Sequence, residues 1–500
     1  LWEPLVWRHC IHAERRTTAQ PGIMDCIPRK DERIPFMPLA ATSTLKLLPW
    51  VLILSVVLRL GSALYQGKQI DFLPGVFDQV SYHELATRLL NGHGFTFGID
   101  WWPATAAGAP TAHWSYLYVL YLTAVYFVFG VSPLAPKIIQ AVLAGILLPL
   151  LTFRVARRLF GERVGTVAAF LVSVYGYFIY YAGALVTETF YILAILWLLD
   201  ISTALASDFT SQPKGSRTAA SYRPWVRLGV ACGLAILLRQ VIMFILPIVL
   251  LWTLVRVFQR EKLLPDFSFG SLLRRGLVTV LIIAGFVLPW TLRNYAAFGQ
   301  FVLLNTNAGF AFFWGNHPLH KTDFVPIIGG GPEYRALIPA ELMGLNEAEL
   351  DRRLLKRGLR FVADEPSRFL LLSLSRTKEY FKFWPTSKSH PLSNMVRVLS
   401  FGVYLPLFIC GLITAALRFR SGREQDNPAL LLMLLVASAY TGLHLLSWTL
   451  VRYRLPVDAL MIPFGALGLV FIVDLARKWS PRRNSRKARE QSSIENPAIP

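Results

Sequence analysis

Between Val164 and Ala182 the chain reads VGTVAAFLVSVYGYFIYYA, with no charged side chain anywhere in it. An apolar helix of about twenty residues crosses the roughly 30 Å hydrocarbon core of a bilayer. Nine further windows are nearly as apolar: Leu45–Leu64, Lys137–Phe153, Val186–Leu205, Val226–Leu238, Val241–Val257, Leu277–Leu292, Val396–Leu417, Leu430–Leu450 and Val457–Leu475. Charged residues make up 16% of the chain, against about 25% in a soluble domain, and the mean hydropathy is +0.45. The class is a multi-pass, all-α integral membrane protein. Its uninterrupted spans and the absence of internal repeats speak against a transporter, which more often has broken helices and polar residues at the midplane.

The net charge of +21 does not indicate a nucleic-acid partner, because no basic strip is interleaved with aromatic residues. Instead Lys and Arg gather in short connections: Arg154–Arg163, Lys214–Arg227, Arg256–Arg275, Arg418–Arg423 and the tail RKWSPRRNSRKARE. The positive-inside rule places all of these in the cytoplasm only if one further apolar segment, Tyr116–Val131, does not cross. That segment is short and carries Tyr116, Tyr118, Tyr121 and Tyr126, which suits a helix lying in the interface. The expectation is therefore ten spans with both termini cytoplasmic. The expected organisation is a cytoplasmic leader (1–43), a transmembrane module (44–295) with a first outer loop at 65–136, an outer region (296–394), C-terminal transmembrane helices (395–476) and a basic cytoplasmic tail (477–500). Translation could start at Leu1, Met24 or Met37, and Leu1–Ala41 has neither a periodic apolar face nor a signal-peptide cleavage pattern. The cysteines Cys10, Cys26, Cys232 and Cys410 form no disulfide framework and no metal spacing.

Directly behind the first span comes GVFDQVSYHELATRLLNGHGF, Gly75 to Phe95. At helical spacing Tyr82, Leu85, Ala86, Leu89 and Leu90 share one stripe, while Gln79, His83, Glu84, Thr87 and Arg88 fall opposite, and Asn91-Gly92 stops the helix. Asp78 opens it. With Tyr116–Val131 laid down, Asp78 lies on the same side of the membrane as Glu188, which opens the fourth span in ALVTETF. Each carboxylate has a structural use of its own, Asp78 as an N-cap and Glu188 at a helix dipole. A pair at membrane depth points to function. Arg239, Arg293, Arg452 and Arg454 all sit at outer span ends, where they either snorkel or clamp a phosphate. His113, His317 and Tyr82 complete the candidate substrate-binding set. GHG and GGG (Gly329–Gly331) read as turns, Glu347–Phe361 as a solvated helix with a basic face, and ADEPSRFLLLSLSRTKEYFKF as an amphipathic stretch returning to the membrane.

FDQVSYHELATRLLNGHGF, ARRLFGERVGTVAAFL, TETF, PWTLRNYAAFG…NTNAGFAFFWGNHP and RYRLP, in this order along ten spans, resemble the GT-C class of membrane glycosyltransferases. The resemblance is to the bacterial protein O-mannosyltransferase-like and aminoarabinose-transferase-like branch, and runs from about Leu45 to Leu475. It implies a GT-C fold in a bacterial plasma membrane, a sugar donor on a polyprenyl phosphate, an acceptor that is protein, lipid or glycan, and a site on the outer face. It also implies Asp78 and Glu188 as the catalytic carboxylates and no nucleotide site. Two departures stand out: Gln79 where many relatives have a second acid, and PTAHWSY (Pro110–Tyr116) where they have a basic-Pro-Pro segment. Use of a divalent cation stays open on both counts.

The topology has a direct check. Single cysteines introduced as Gly161→Cys and Ala112→Cys are labelled in intact cells with an impermeant thiol reagent. The ten-span arrangement expects reaction at Ala112→Cys and none at Gly161→Cys, and labelling at the latter would overturn it.

Overall fold

The computed structural model describes residues 45–70, 78–206, 221–265, 267–326, 331–387, 389–420 and 428–478. The leader, Cys10, Cys26, most of the GGG turn and all but the start of the basic tail lie outside them. Among the described residues the fold is helical, with two isolated β-bridges, Thr96–Pro110 and Trp101–Thr105. The helices are α1 (Leu48–Gln66), α2 (Asp78–Leu90), α3 (Tyr116–Phe129), α4 (Leu134–Phe160), α5 (Glu162–Ser173) and α6 (Gly176–Ala182). There follow α7 (Glu188–Ala206), α8 (Arg223–Leu238), α9 (Leu246–Glu261), α10 (Phe269–Phe298), α11 (Ala308–Gly315) and α12 (Gly331–Ala336). The last are α13 (Glu347–Asp364), α14 (Pro366–Tyr380), α15 (Pro391–Arg397), α16 (Val403–Arg420), α17 (Pro428–Leu446) and α18 (Leu455–Lys478).

By length and composition seven of the described helices can cross a bilayer: Leu45–Gln66, Leu134–Phe160, Glu188–Ala206, Phe269–Phe298, Pro391–Arg420, Pro428–Leu446 and Val451–Arg477. The expected uninterrupted span Val164–Ala182 is broken: α5 and α6 are bent by 56° and make an eighth only if counted together. The other two expected spans are α8 and α9, of 16 residues each and so about 24 Å long. They are consecutive, so counting both or neither leaves every later helix on the same side. Moreover α8 runs antiparallel to α7: Arg239, at the end of α8, donates to Glu188, at the start of α7, at 2.6 Å. The expected span from Val241 instead opens with a 3₁₀ turn, Gln240–Phe244.

Helix pairing gives the bundle two distinct ends. Lys137 at the start of α4 donates to the carbonyls of Gly67 and Gln69 just past α1, so these helices are antiparallel. Gly145 of α4 meets α1 where a Cβ would come 2.7 Å from Val56 Cα, a close approach that only glycine permits. At one end Arg154 pairs with Asp200, Arg163 with Asp474 and Arg275 with Glu261. At the other end lie the starts of α4, α7 and α18 and the ends of α1, α8, α10 and α17. The Tyr-rich helix α3 touches only this second end along its length. Ser115, its N-cap, donates to Leu237 O, Tyr116 stacks on Trp290 at 4.1 Å, Tyr118 donates to Gln140, Tyr121 to Pro136 O, and Tyr126 meets His83. A 14-residue helix whose contacts from Ser115 to Tyr121 fall at one end of the bundle, and whose last residues Phe127, Val128 and Phe129 are exposed, does not traverse it.

The described residues between 299 and 390 pack over this same end. Helix α13 keeps the expected basic face in solvent, with Arg352, Arg353 and Arg357 exposed, but buries the other face through Glu347, Ala348, Leu350, Leu354 and Gly358. Glu347 accepts from Thr105 Oγ1 and Ala112 N at 2.8 Å and from Thr306 Oγ1, which ties the first loop to this region. Arg376 on α14 donates to the last-turn carbonyls Gly315 O of α11 and Leu445 O of α17, joining two helix C-termini whose carbonyls lack helical partners.

One turn after Glu347, Asp351 is half-buried and accepts from Gly309 N (2.8 Å) and Phe310 N (3.2 Å) at the start of α11. Burial, only partly offset by these bonds, raises its pKa from 3.8 to about 7. The folded state therefore holds a proton that the unfolded chain has released. Stability from this group is fully present below about pH 4 and is lost as pH rises to about 7. Asp351→Asn keeps the acceptor and removes the titration. Thermal unfolding from pH 4 to 8 should show wild type losing stability relative to Asp351→Asn across that window. A constant difference between the two would contradict this origin.

Candidate active site

Asp78 is the first residue of α2 and Arg88 lies in its last turn, charges that suit the two ends of a helix dipole. The apolar stripe seats the helix on α3, with Tyr82, Leu85 and Ala86 buried. Further bonds fix it there: Thr123 Oγ1 donates to Ala86 O, Trp101 Nε1 donates to Ser81 Oγ at 2.9 Å, and His83 Nδ1 lies 2.8 Å from Tyr126 OH. The helix thus carries Asp78 to the starts of α7 and α18.

There the expected pair meets. Arg452 approaches Asp78 Oδ2 with Nη1 at 2.7 Å and Glu188 Oε1 with Nε at 3.6 Å, so one guanidinium bridges both carboxylates. Arg239 donates to the same Glu188 oxygen at 2.6 Å and to Thr187 Oγ1 at 2.8 Å. Asp78 spends its carboxylate on Arg452 rather than on capping α2. The two acids differ in access: the Asp78 side chain is 24% exposed and that of Glu188 1%. Arg239 also lies over the rings of Tyr191 and Tyr453, at 5.8 and 5.3 Å. Glu188 raises the Arg239 pKa against the opposing effect of burial, so this cation stays charged throughout.

The other candidates are placed differently. Tyr82 stands one turn after Asp78, edge-on to Trp114 and Tyr118, and burial followed by the Asp78 charge pushes its phenol pKa far up. It is a neutral wall of the site. His113 is buried among Trp102, Trp114 and Phe310, with Nδ1 3.1 Å from Thr306 O, and burial lowers its pKa. Arg293 does not join the carboxylates: it donates to Thr111 O at 2.9 Å and Asn294 Oδ1 at 3.1 Å and lies over Phe95 and Tyr116. His317 belongs to the segment over the bundle, accepting from Leu319 N beside Phe313 and Phe361. Arg454 faces away from the cluster. It is fully buried, pairs with Asp458 at 2.9 Å, donates to Tyr380 O and lies 3.6 Å from the Phe401 ring centre. Two residues apart on the 3₁₀ turn Val451–Arg454, Arg452 and Arg454 point in different directions.

A family model for dolichyl-phosphate-mannose-protein mannosyltransferase matches residues 115–290, from α3 into α10. The arabinosyl transferase named for undecaprenyl phosphate-α-4-amino-4-deoxy-L-arabinose, from Pseudomonas fluorescens, is 28% identical over 192 residues, 38% of this chain and 29% of that protein. The Archaeoglobus fulgidus oligosaccharyltransferase, solved with an inhibitory peptide and a dolichol-phosphate, superposes with a TM-score of 0.51 at 16% identity. That superposition covers 91% of this chain and 52% of the archaeal one. Its apo form gives a TM-score of 0.54 at 18% identity, covering 89% and 52%. The fold is that of the GT-C membrane glycosyltransferases. The chain spans about half the length of the solved GT-C chains it matches.

Within this GT-C fold the matched stretch includes Glu188 and Arg239, while Asp78 and Arg452 lie outside it and reach the site through the fold. Among the described residues no group of three or more His, Cys, Asp or Glu could hold a metal ion. The donor set that is present, two carboxylates with a guanidinium between them, fits a built-in organic cation better than a metal. Gln66 of α1 and Gln140 of α4, which donate to carbonyls just before Glu188, went unnoticed in the sequence, and Gln79, read there on the polar face of α2, is buried.

The two arginines of RYRLP separate by experiment. Arg454→Leu leaves Asp458 buried and unpaired and should destabilise the protein by about 3–5 kcal/mol. Arg452→Lys keeps a charge beside Asp78 and Glu188 but loses the planar fork, so it should fold normally and use donor poorly. Thermal unfolding beside a transfer assay checks both, and the reverse pattern would contradict the placement.

Proposed function

We propose that the protein is a glycosyltransferase that moves a sugar from a polyprenyl-phosphate carrier to an acceptor on a protein, lipid or glycan. One observation carries this reading: Asp78, partly open to solvent at the start of α2, is bridged by Arg452 to Glu188 and Arg239 at a single end of a GT-C bundle. The named activities of the relatives agree with transfer rather than transport.

The residues divide the chemistry by accessibility. Asp78, the exposed carboxylate, is the general base that takes the proton from the acceptor hydroxyl or amine. The acceptor atom bonds to the anomeric carbon as the bond from that carbon to the phosphate oxygen breaks. Attack from the side opposite the leaving group inverts the anomeric centre of the hexose or pentose. Arg452 and Arg239 stabilise the charge that gathers on the departing polyprenyl phosphate. Glu188 is sealed beneath them and acts by aiming both guanidinium groups. A donor phosphate competes with Asp78 for Arg452, so donor binding itself frees the base. Arg154, Arg163 and Arg275 lie at the opposite end of the bundle, which supports a cytoplasmic basic end and a site on the outer face.

The test uses purified protein in nanodiscs with polyprenyl-phosphate sugars extracted from a deletion strain. Asp78→Asn should lower kcat by about 10²–10⁴-fold with donor binding kept. Glu188→Gln should chiefly weaken donor use. Full activity of Asp78→Asn, or efficient transfer from a nucleotide sugar in lipid-free enzyme, would overturn the proposal.

A further inference from the structure

Gln79 follows Asp78 directly, and only 1% of its surface is exposed. Successive residues of an α-helix project about 100° apart, so 78 and 79 leave α2 toward different neighbours. Asp78 reaches Arg452 of the 3₁₀ turn before α18. Gln79 Oε1 accepts from Leu185 N at 2.8 Å. Leu185 belongs to the turn 183–187, which ends at Glu188.

That turn leaves the helical pattern, and side chains of other helices take up polar backbone groups of the turn and of the end of α6 before it. Gln140 Nε2 of α4 donates to Tyr181 O, Ala182 O and Ala184 O at 2.8–3.1 Å, and its Oε1 accepts from Tyr118 OH. Gln66 of α1 donates to Tyr180 O at 2.9 Å. These groups hold the turn to the bundle. Gln79 adds a bond from the helix that carries the base, so α2 and the turn before Glu188 are joined directly.

We propose that Gln79 is a positioning residue: its bond from Leu185 N–H fixes Asp78 against the Arg452–Glu188–Arg239 assembly. The proposal rests on reading Asp78 as the general base. The other bonds that hold α2, at Ser81, His83 and Ala86, run to Trp101 and α3, whereas the Gln79 bond runs to the turn before Glu188. A carboxylate that must meet both an acceptor proton and a guanidinium does not tolerate shifts near 1 Å. An acid at this position keeps an acceptor oxygen at the same reach, so the amide is needed for its oxygen and not for its nitrogen.

Three readouts on protein in nanodiscs test this. Gln79→Leu removes the acceptor; kcat for transfer from polyprenyl-phosphate sugar should fall about tenfold or more, with undecaprenyl phosphate binding within about twofold of wild type. Gln79→Glu should recover most of kcat, which a simple packing defect would not do. Hydrogen exchange should speed up at the Leu185 amide in Gln79→Leu and stay slow in Gln79→Glu. Wild-type kcat in Gln79→Leu, or a Gln79→Glu enzyme as slow as Gln79→Leu, overturns the proposal. If Gln79→Leu does not fold, Gln79→Asn takes its place: the amide is one methylene short, so kcat should fall in the same direction, and wild-type kcat there also overturns it. Failure of the base assignment is seen separately, as full activity in Asp78→Asn with exchange at Leu185 still governed by residue 79.

Discussion

One guanidinium between two carboxylates organises the functional end of this protein. Arg452 touches Asp78 at 2.7 Å and approaches Glu188 at 3.6 Å, and Arg239 closes the set on the same Glu188 oxygen. Burying such charges costs several kcal/mol per ion unless each is paired and well bonded. The cluster holds two positive and two negative groups, so it is neutral as it stands. Under the proposed function an arriving phosphate would draw on the cations and leave Asp78, the more accessible carboxylate, without its partner.

Much of the surrounding structure consists of polar side chains spent on backbone groups that helix breaks leave without partners. Where α5 stops, Arg59 of α1 donates to Val172 O and Ser173 O at 2.9 and 3.1 Å. Beyond the break Tyr177 N donates to Ser400 Oγ, and Tyr175 OH donates to Asp458, itself held by Arg454. Gln66, Gln140 and Gln79 then take over up to Glu188. Irregular backbone persists at membrane depth only where protein satisfies it. Here that protection delivers a buried acid to the end of the bundle rather than to its middle.

The helical membrane class and the meeting of Asp78 with Glu188 were legible in the sequence because both rest on strong physical signals. Apolar length and the distribution of Arg and Lys require α3 to lie flat, and a flat α3 puts both acids at one end. The break in Val164–Ala182 was not legible, because no proline or charge marks it; it is imposed by Arg59, Ser400 and Gln140 from elsewhere in the chain. The same limit explains Arg452 and Arg454. Both read as arginines at a span end, and only the packing of Asp458 and Phe401 turns Arg454 inward. Glu347 looked solvated for a like reason, since the hydroxyls and amide it accepts from come from residues 105, 112 and 306.

A structure of the protein in nanodiscs with undecaprenyl phosphate bound would show whether Arg452 and Arg239 receive the phosphate while Asp78 faces the acceptor. Phosphate oxygens are expected within hydrogen-bonding distance of Arg452 or Arg239, with Asp78 released from Arg452 and Glu188 still holding Arg239. A phosphate seated elsewhere, with the Asp78–Arg452 pair intact, would contradict this assignment.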